Sequence, residues 1–244
     1  MATVCDRFGT TSWTQIRALG TGDEAERQEA MEALLSKYWP PVYSFLRGRG
    51  ARPDTAADLT QSFFADIVLG RRLFDQASSN RGRLRTLLLA ALSNYCIDHH
   101  RRDVARGKGQ TITIEQIDQE ENRFPGNGAD NGESRFESRW AVGLLEEALR
   151  RCEQHFTNTG RSAHWTLFER RVLQPAISGN DPPPLADLLA ATGFRSAPLA
   201  AAAVQVVKRR AVNLLHEVIA ETVNDADDAE SEMCEIKRHL VRNF

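Results

Sequence analysis

The sequence lacks the features that would place it in a membrane, an oxidising compartment or a familiar catalytic class. No apolar run approaches the roughly 18–20 residues needed to cross a bilayer. The segment from Met1 to Trp13 has no apolar core of the signal-peptide kind. A soluble, cytoplasmic protein with no membrane partner is therefore expected. Only four cysteines occur, Cys5, Cys96, Cys152 and Cys234, far apart and without a CxxC pair. That spacing argues against a zinc knuckle or a disulfide framework and fits reduced thiols. No nucleophile elbow, Walker loop or HExxH pattern is present. His99 and His100 run into Arg101 and Arg102 rather than spacing out metal ligands, and His155 and His164 stand alone beside amphipathic stretches. No catalytic residue, metal or cofactor is expected, and the chain reads as something other than an enzyme.

What is present is ordinary for a globular protein: 244 residues, 41% hydrophobic and 26% charged, with a formal net charge of −2. That length allows one large or two small domains. Near-neutrality argues against a uniformly basic nucleic-acid coat but not against local patches. Helical periodicity runs over about 24–47, with Ala30, Leu34, Leu35, Tyr38, Val42, Phe45 and Leu46 as apolar positions. Pro40 and Pro41 should kink or split that stretch. A second helix starts at Pro53-Asp54 and carries Ala56, Leu59, Phe63 and Ile67 on one face.

Between Gly107 and Ser134 the pattern fails. Pro125-Gly126-Asn127-Gly128 and Asn131-Gly132 break regular structure, and acidic residues dominate. Helical patterning resumes at Trp140 and persists to about Val223, with breaks at Asn158–Gly160, Gly179–Pro184 and Gly193. The expected fold class is all-α: two small helical domains joined by an acidic flexible linker. The segments are an N-terminal extension (1–23), a first domain (24–107), the linker (108–138), a second domain (139–223) and an acidic tail (224–244).

A third helix over Gly82–Arg106 has two faces. Leu84, Leu87, Leu88, Ala91, Leu92, Tyr95 and Cys96 form a buried-type stripe. Asn94, Asp98, Arg101, Arg102 and Ala105 share another face, and Arg81, Arg83 and Arg85 add charge at the opposite end. Guanidinium groups suit phosphates and guanine edges, and Asn94 suits an adenine edge. The plainer alternative is that Asp98 pairs with Arg101 or Arg102 at helical spacing and the face is merely solvated.

Three stretches in order carry a resemblance: Asp58-Leu59-Thr60-Gln61-Ser62-Phe63-Phe64, then Arg83-Leu84-Arg85-Thr86-Leu87-Leu88-Leu89, then Asn94-Tyr95-Cys96-Ile97-Asp98-His99-His100-Arg101-Arg102. Together they resemble region two of a bacterial RNA polymerase sigma factor. The two-domain layout is similar to the extracytoplasmic-function group of the sigma-70 family. Thr11-Ser12-Trp13 is similar to the start of one bacterial subgroup of those factors. The resemblance spans roughly Trp13 to Val223, specific in the first domain and looser in the second.

The resemblance implies a role for each part. Asp58, Gln61, Ser62, Ala65 and Leu69 would dock on core RNA polymerase. The third helix would open promoter DNA at the minus-ten element and hold the non-template strand, through Arg81, Arg83, Arg85, Asn94, Asp98, Arg101 and Arg102. Ser78, Ser79 and Asn80 fall where the family places its base-capturing loop, or form a plain polar turn. The acidic linker would thread toward the RNA channel, or act as a solvated tether. A partner that restrains the factor, of the anti-sigma type, is also compatible with the family.

The second domain should then hold a helix-turn-helix for the minus-thirty-five element. Leu185–Gly193 supplies a first helix and a glycine turn, and Ser196 with Pro198 a cap and first turn of the second. Leu199, Ala203, Val207, Leu214 and Val218 are its expected inner face. Its opening turns, however, read Ala197-Pro198-Leu199-Ala200-Ala201-Ala202, which offer bases no hydrogen bond. Gln205 remains for base contact, and Arg195, Ser196, Lys208, Arg209 and Arg210 for the backbone. Weak or shape-based readout is expected, or a helix that mainly packs.

The acidic tail is either a frayed terminus or an autoinhibitor folded on the basic face. Three functions stay open: a sigma factor, a free-standing helix-turn-helix regulator, and a polymerase-binding adaptor with reduced DNA readout. The regulator has no use for the Asp58–Leu69 face.

Overall fold

The computed structural model describes residues 23–66, 83–105, 132–223 and 226–243, and among these every regular element is helical. The helices are α1 (Glu24–Gly48), α2 (Pro53–Phe63), α3 (Leu84–Ala105), α4 (Gly132–Asn158), α5 (Ser162–Phe168), α6 (Gln174–Ser178), α7 (Leu185–Thr192), α8 (Ala197–Ala220) and α9 (Ala226–Asn243). A π-helical turn, Glu169–Leu173, joins α5 to α6. Two compact units result: Met1–Ala141 with Glu221–Glu232, and Val142–Ala220 with Met233–Phe244. Among the described residues no helix is long and apolar enough to cross a membrane.

In the first unit α1 opens on a capping box. The Glu26 N–H donates to Asp23 Oδ1 at 2.9 Å, and the Asp23 N–H to Glu26 Oε2 at 3.1 Å, an arrangement worth about 1 kcal/mol. Pro40 and Pro41 lie inside α1, so of the two expected outcomes, a kink or a split, the split does not occur. The lost N–H groups are outweighed by burial on both sides of the prolines, since Tyr38, Val42 and Phe45 are each at most 1% exposed. In α2 the buried stripe is Ala56, Thr60 and Phe63, and Leu59 is only half-buried. Thr60 is admitted because its hydroxyl donates to the Ala56 carbonyl at 2.6 Å.

Aromatic rings tie this unit together. Tyr38 stacks on Trp140 at 5.2 Å between centroids, Trp39 on Phe64 at 6.2 Å, and Phe63 meets Tyr95 edge-on at 5.6 Å. Two corrections follow. Residues 132–138 are helical rather than linker, because Phe136 and Trp140 are one turn apart and both buried in α4. The acidic tail is also helical over α9, where Met233 and Ile236 are buried. Residues 1–22 of the N-terminal extension and 108–131 of the linker lie outside the described residues.

In the second unit α4 buries Leu144, Ala148, Cys152 and Phe156 at a four-residue repeat. The breaks fall where glycine and proline place them: Gly160, Gly179 and Gly193 all have positive φ. Helix α8 packs on α5 and α7 through Ala200, Ala203, Val204, Val207, Leu214 and Val218. Leu199, expected on that inner face, is 56% exposed, since the stripe begins one position later at Ala200. His164 stacks on Phe156 at 6.0 Å and meets Phe194 edge-on at 5.2 Å, which is a packing role. Cys152 is buried, and burial pushes its thiol up to about 11, so it is an inert core thiol.

Candidate nucleic-acid interface

Helix α3 separates its two faces as its periodicity predicts. Leu84, Leu88, Leu92 and Tyr95 are buried, whereas Asn94, Arg101, Arg102 and Ala105 are exposed and Asp98 is half-buried. Arg102 Nε donates to the Asp98 carbonyl at 3.2 Å. No ion pair joins Asp98 to Arg101 or Arg102 among the described residues, so the intrahelical pairing that would have neutralised this face is not formed. The result is a solvent-facing surface with two guanidinium groups and an amide, mounted on a fixed apolar stripe.

The other end of α3 is different. Arg85 was expected to face DNA, but it is 7% exposed and lies inside an ion cluster. Its Nε and Nη2 donate to Glu232 Oε1 and Oε2 at 2.8 and 3.0 Å, and its Nη1 donates to Glu137. Burial alone would lower the pKa of this guanidinium, and the hydrogen bonds and charges of Glu137 and Glu232 more than reverse that, holding it fully charged. A guanidinium so enclosed has no donor turned to solvent for a phosphate. Arg83 is partly exposed and meets Ser231 Oγ at 2.7 Å, Glu232 at 3.3 Å and Asp228 at 3.4 Å. The Leu84 N–H, first in α3, donates to the Thr222 carbonyl at 3.2 Å.

On α2, Asp58, Gln61 and Ser62 are exposed, opposite buried Ala56, Thr60 and Phe63, and Ala65, just past its end, is exposed too. Ser62 also hydrogen-bonds the Tyr95 hydroxyl, and burial raises the pKa of that phenol. This surface is therefore braced against α3. Leu69, Ser78, Ser79, Asn80 and Arg81 lie outside the described residues.

In the second unit Arg195, Gln205, Lys208 and Arg209 are exposed and Ser196 is half-buried. The Ser196 carbonyl accepts the Ala200 N–H at 3.1 Å, which sets the start of α8. Gln205 and Lys208 border, with Arg171, an otherwise largely apolar cleft of about 590 Å³ that includes Val172, Pro175 and Leu185. Arg210 is held by Glu217 at 3.4 Å. Leu199, Val206 and Val212 are 56%, 44% and 51% exposed, so apolar groups interleave with the polar ones.

Sequence reasoning missed Glu137, Asp228, Ser231 and Glu232, the partners of the α3 arginines. The available signal was Met233 and Ile236, an apolar pair at helical spacing that anchors the acidic tail as a helix. No family model, no curated protein and no solved structure matches the chain.

Proposed function

We propose that this chain is a transcription initiation factor of the sigma type, which binds core RNA polymerase, directs it to promoters and helps open the DNA. The observation that carries this reading is the pair of outward surfaces built on one aromatic contact, Phe63 against Tyr95. One is the small, partly polar face of Asp58, Gln61, Ser62 and Ala65, suited to a protein partner. The other is the cationic face of Asn94, Arg101 and Arg102, suited to a displaced strand. Polymerase supplies the chemistry, and this chain supplies positioning and strand capture. In the second unit α7, the left-handed Gly193 and α8 form the helix-turn-helix of this proposal, with Arg195, Lys208 and Arg209 on phosphates and Gln205 on a base edge.

Asp58→Ala combined with Gln61→Ala is expected to weaken binding to core polymerase by about five-fold, the loss typical of interface truncations near 1 kcal/mol. Co-purification with core, at unchanged helical content, checks it. Unaltered recovery with core would count against the docking surface.

A second reading is favoured by the exposed Leu199, Val206 and Val212 of α8. Apolar groups at such positions fit a protein contact better than base readout, which would make the chain a polymerase-binding adaptor. Transcription reconstituted on genomic fragments separates the two. The sigma reading requires at least one opened promoter, whereas firm core binding without any opening supports the adaptor.

A further inference from the structure

We infer that the first two turns of α9 are a built-in electrostatic brake on the nucleic-acid face of α3, holding in cis an arginine that an incoming strand would otherwise use. The inference rests on the nucleic-acid role proposed for α3. The carboxylates of Asp228 and Glu232 meet Arg83, and those of Glu137 and Glu232 meet Arg85. With α9 seated, both arginines at that end of α3 are engaged by carboxylates instead of facing a phosphate backbone.

The two arginines are held differently. Arg85 has a side chain 9% exposed and is gripped by both oxygens of Glu232, itself 1% exposed, so it is the fixed anchor. Arg83 is the releasable member. Its contacts to Asp228 and Glu232 are long, at 3.4 and 3.3 Å, and it donates a short bond of 2.7 Å to the hydroxyl of exposed Ser231. The Arg83–Asp228 pair, long and partly exposed on both sides, is of the weak and salt-sensitive kind. A polyanion that offers Arg83 several phosphate oxygens competes with two carboxylates at long range and with a neutral hydroxyl.

The test uses the full chain, a single-stranded DNA oligonucleotide and two readouts. Asp228→Asn with Ser231→Ala removes the exposed part of the clamp and leaves Glu232, Glu137 and Arg85 in place. Affinity for the oligonucleotide at low salt should rise roughly five-fold, and the gain should vanish at high salt. Hydrogen exchange of wild-type α9 should accelerate over its first two turns when the oligonucleotide binds. Equal affinities for wild type and variant, or binding that leaves α9 exchange unmoved, overturn the brake while the nucleic-acid reading stands. Failure of both proteins to bind at any salt concentration overturns the nucleic-acid reading and the brake with it.

Discussion

Glu232→Ala is expected to destabilise the first unit by about 3–5 kcal/mol, the usual result of removing one partner from a buried ion pair. Glu232 is 0% exposed and supplies both oxygens to Arg85. Its loss takes two acceptor oxygens from a buried guanidinium. The same substitution also removes one of the contacts of Arg83. The cost belongs to the orphaned charge rather than to the pair as such. Arg85→Met combined with Glu232→Leu should therefore recover most of the loss. The measurement is amide exchange protection of α3 residues, because unfolding of a chain with two compact units need not be a single transition. Equal destabilisation in the single and double variants would show that packing, not charge, dominates at this position.

That cluster marks the limit of what the sequence makes legible. A period of 3.6 residues orients each helix from within, so Leu84, Leu88, Leu92 and Tyr95 are readable as inward and Asn94, Arg101 and Arg102 as outward. The same holds for the α2 face of Asp58, Gln61, Ser62 and Ala65. Periodicity carries no information about partners distant in the chain. Arg85 meets Glu232 across 147 positions, and nothing local distinguishes it from a solvent-facing arginine. Two further differences have the same origin. Pro40 and Pro41 read as a kink or a split by propensity, and tertiary burial around them keeps the helix unsplit. Gly132 reads as a loop residue beside Asn131, yet it begins α4, and the space there admits no larger side chain.

That constraint gives the other large effect. A Cβ added at Gly48 would lie 2.7 Å from the Gly132 Cα and 2.8 Å from Arg135 Cδ, and one added at Gly132 would lie 2.7 Å from the Phe45 carbonyl oxygen. The end of α1 and the start of α4 thus touch backbone to backbone, and a flexible side chain cannot give way for either substitution. Gly48→Ala and Gly132→Ala are each expected to cost about 1–3 kcal/mol, the range for overpacking a filled site. Helix propensity acts in the opposite direction by at most about 1 kcal/mol, and less at helix ends, so sterics decide the sign. Gly143, inside α4, is the internal control: a Cβ there meets nothing within 4 Å. Gly143→Ala should therefore stabilise by about 0.5–1 kcal/mol. Amide exchange protection of α1 and α4 in the three variants checks the pattern. If all three alanines stabilised, propensity would govern at every site and the close approach of α1 and α4 would be refuted.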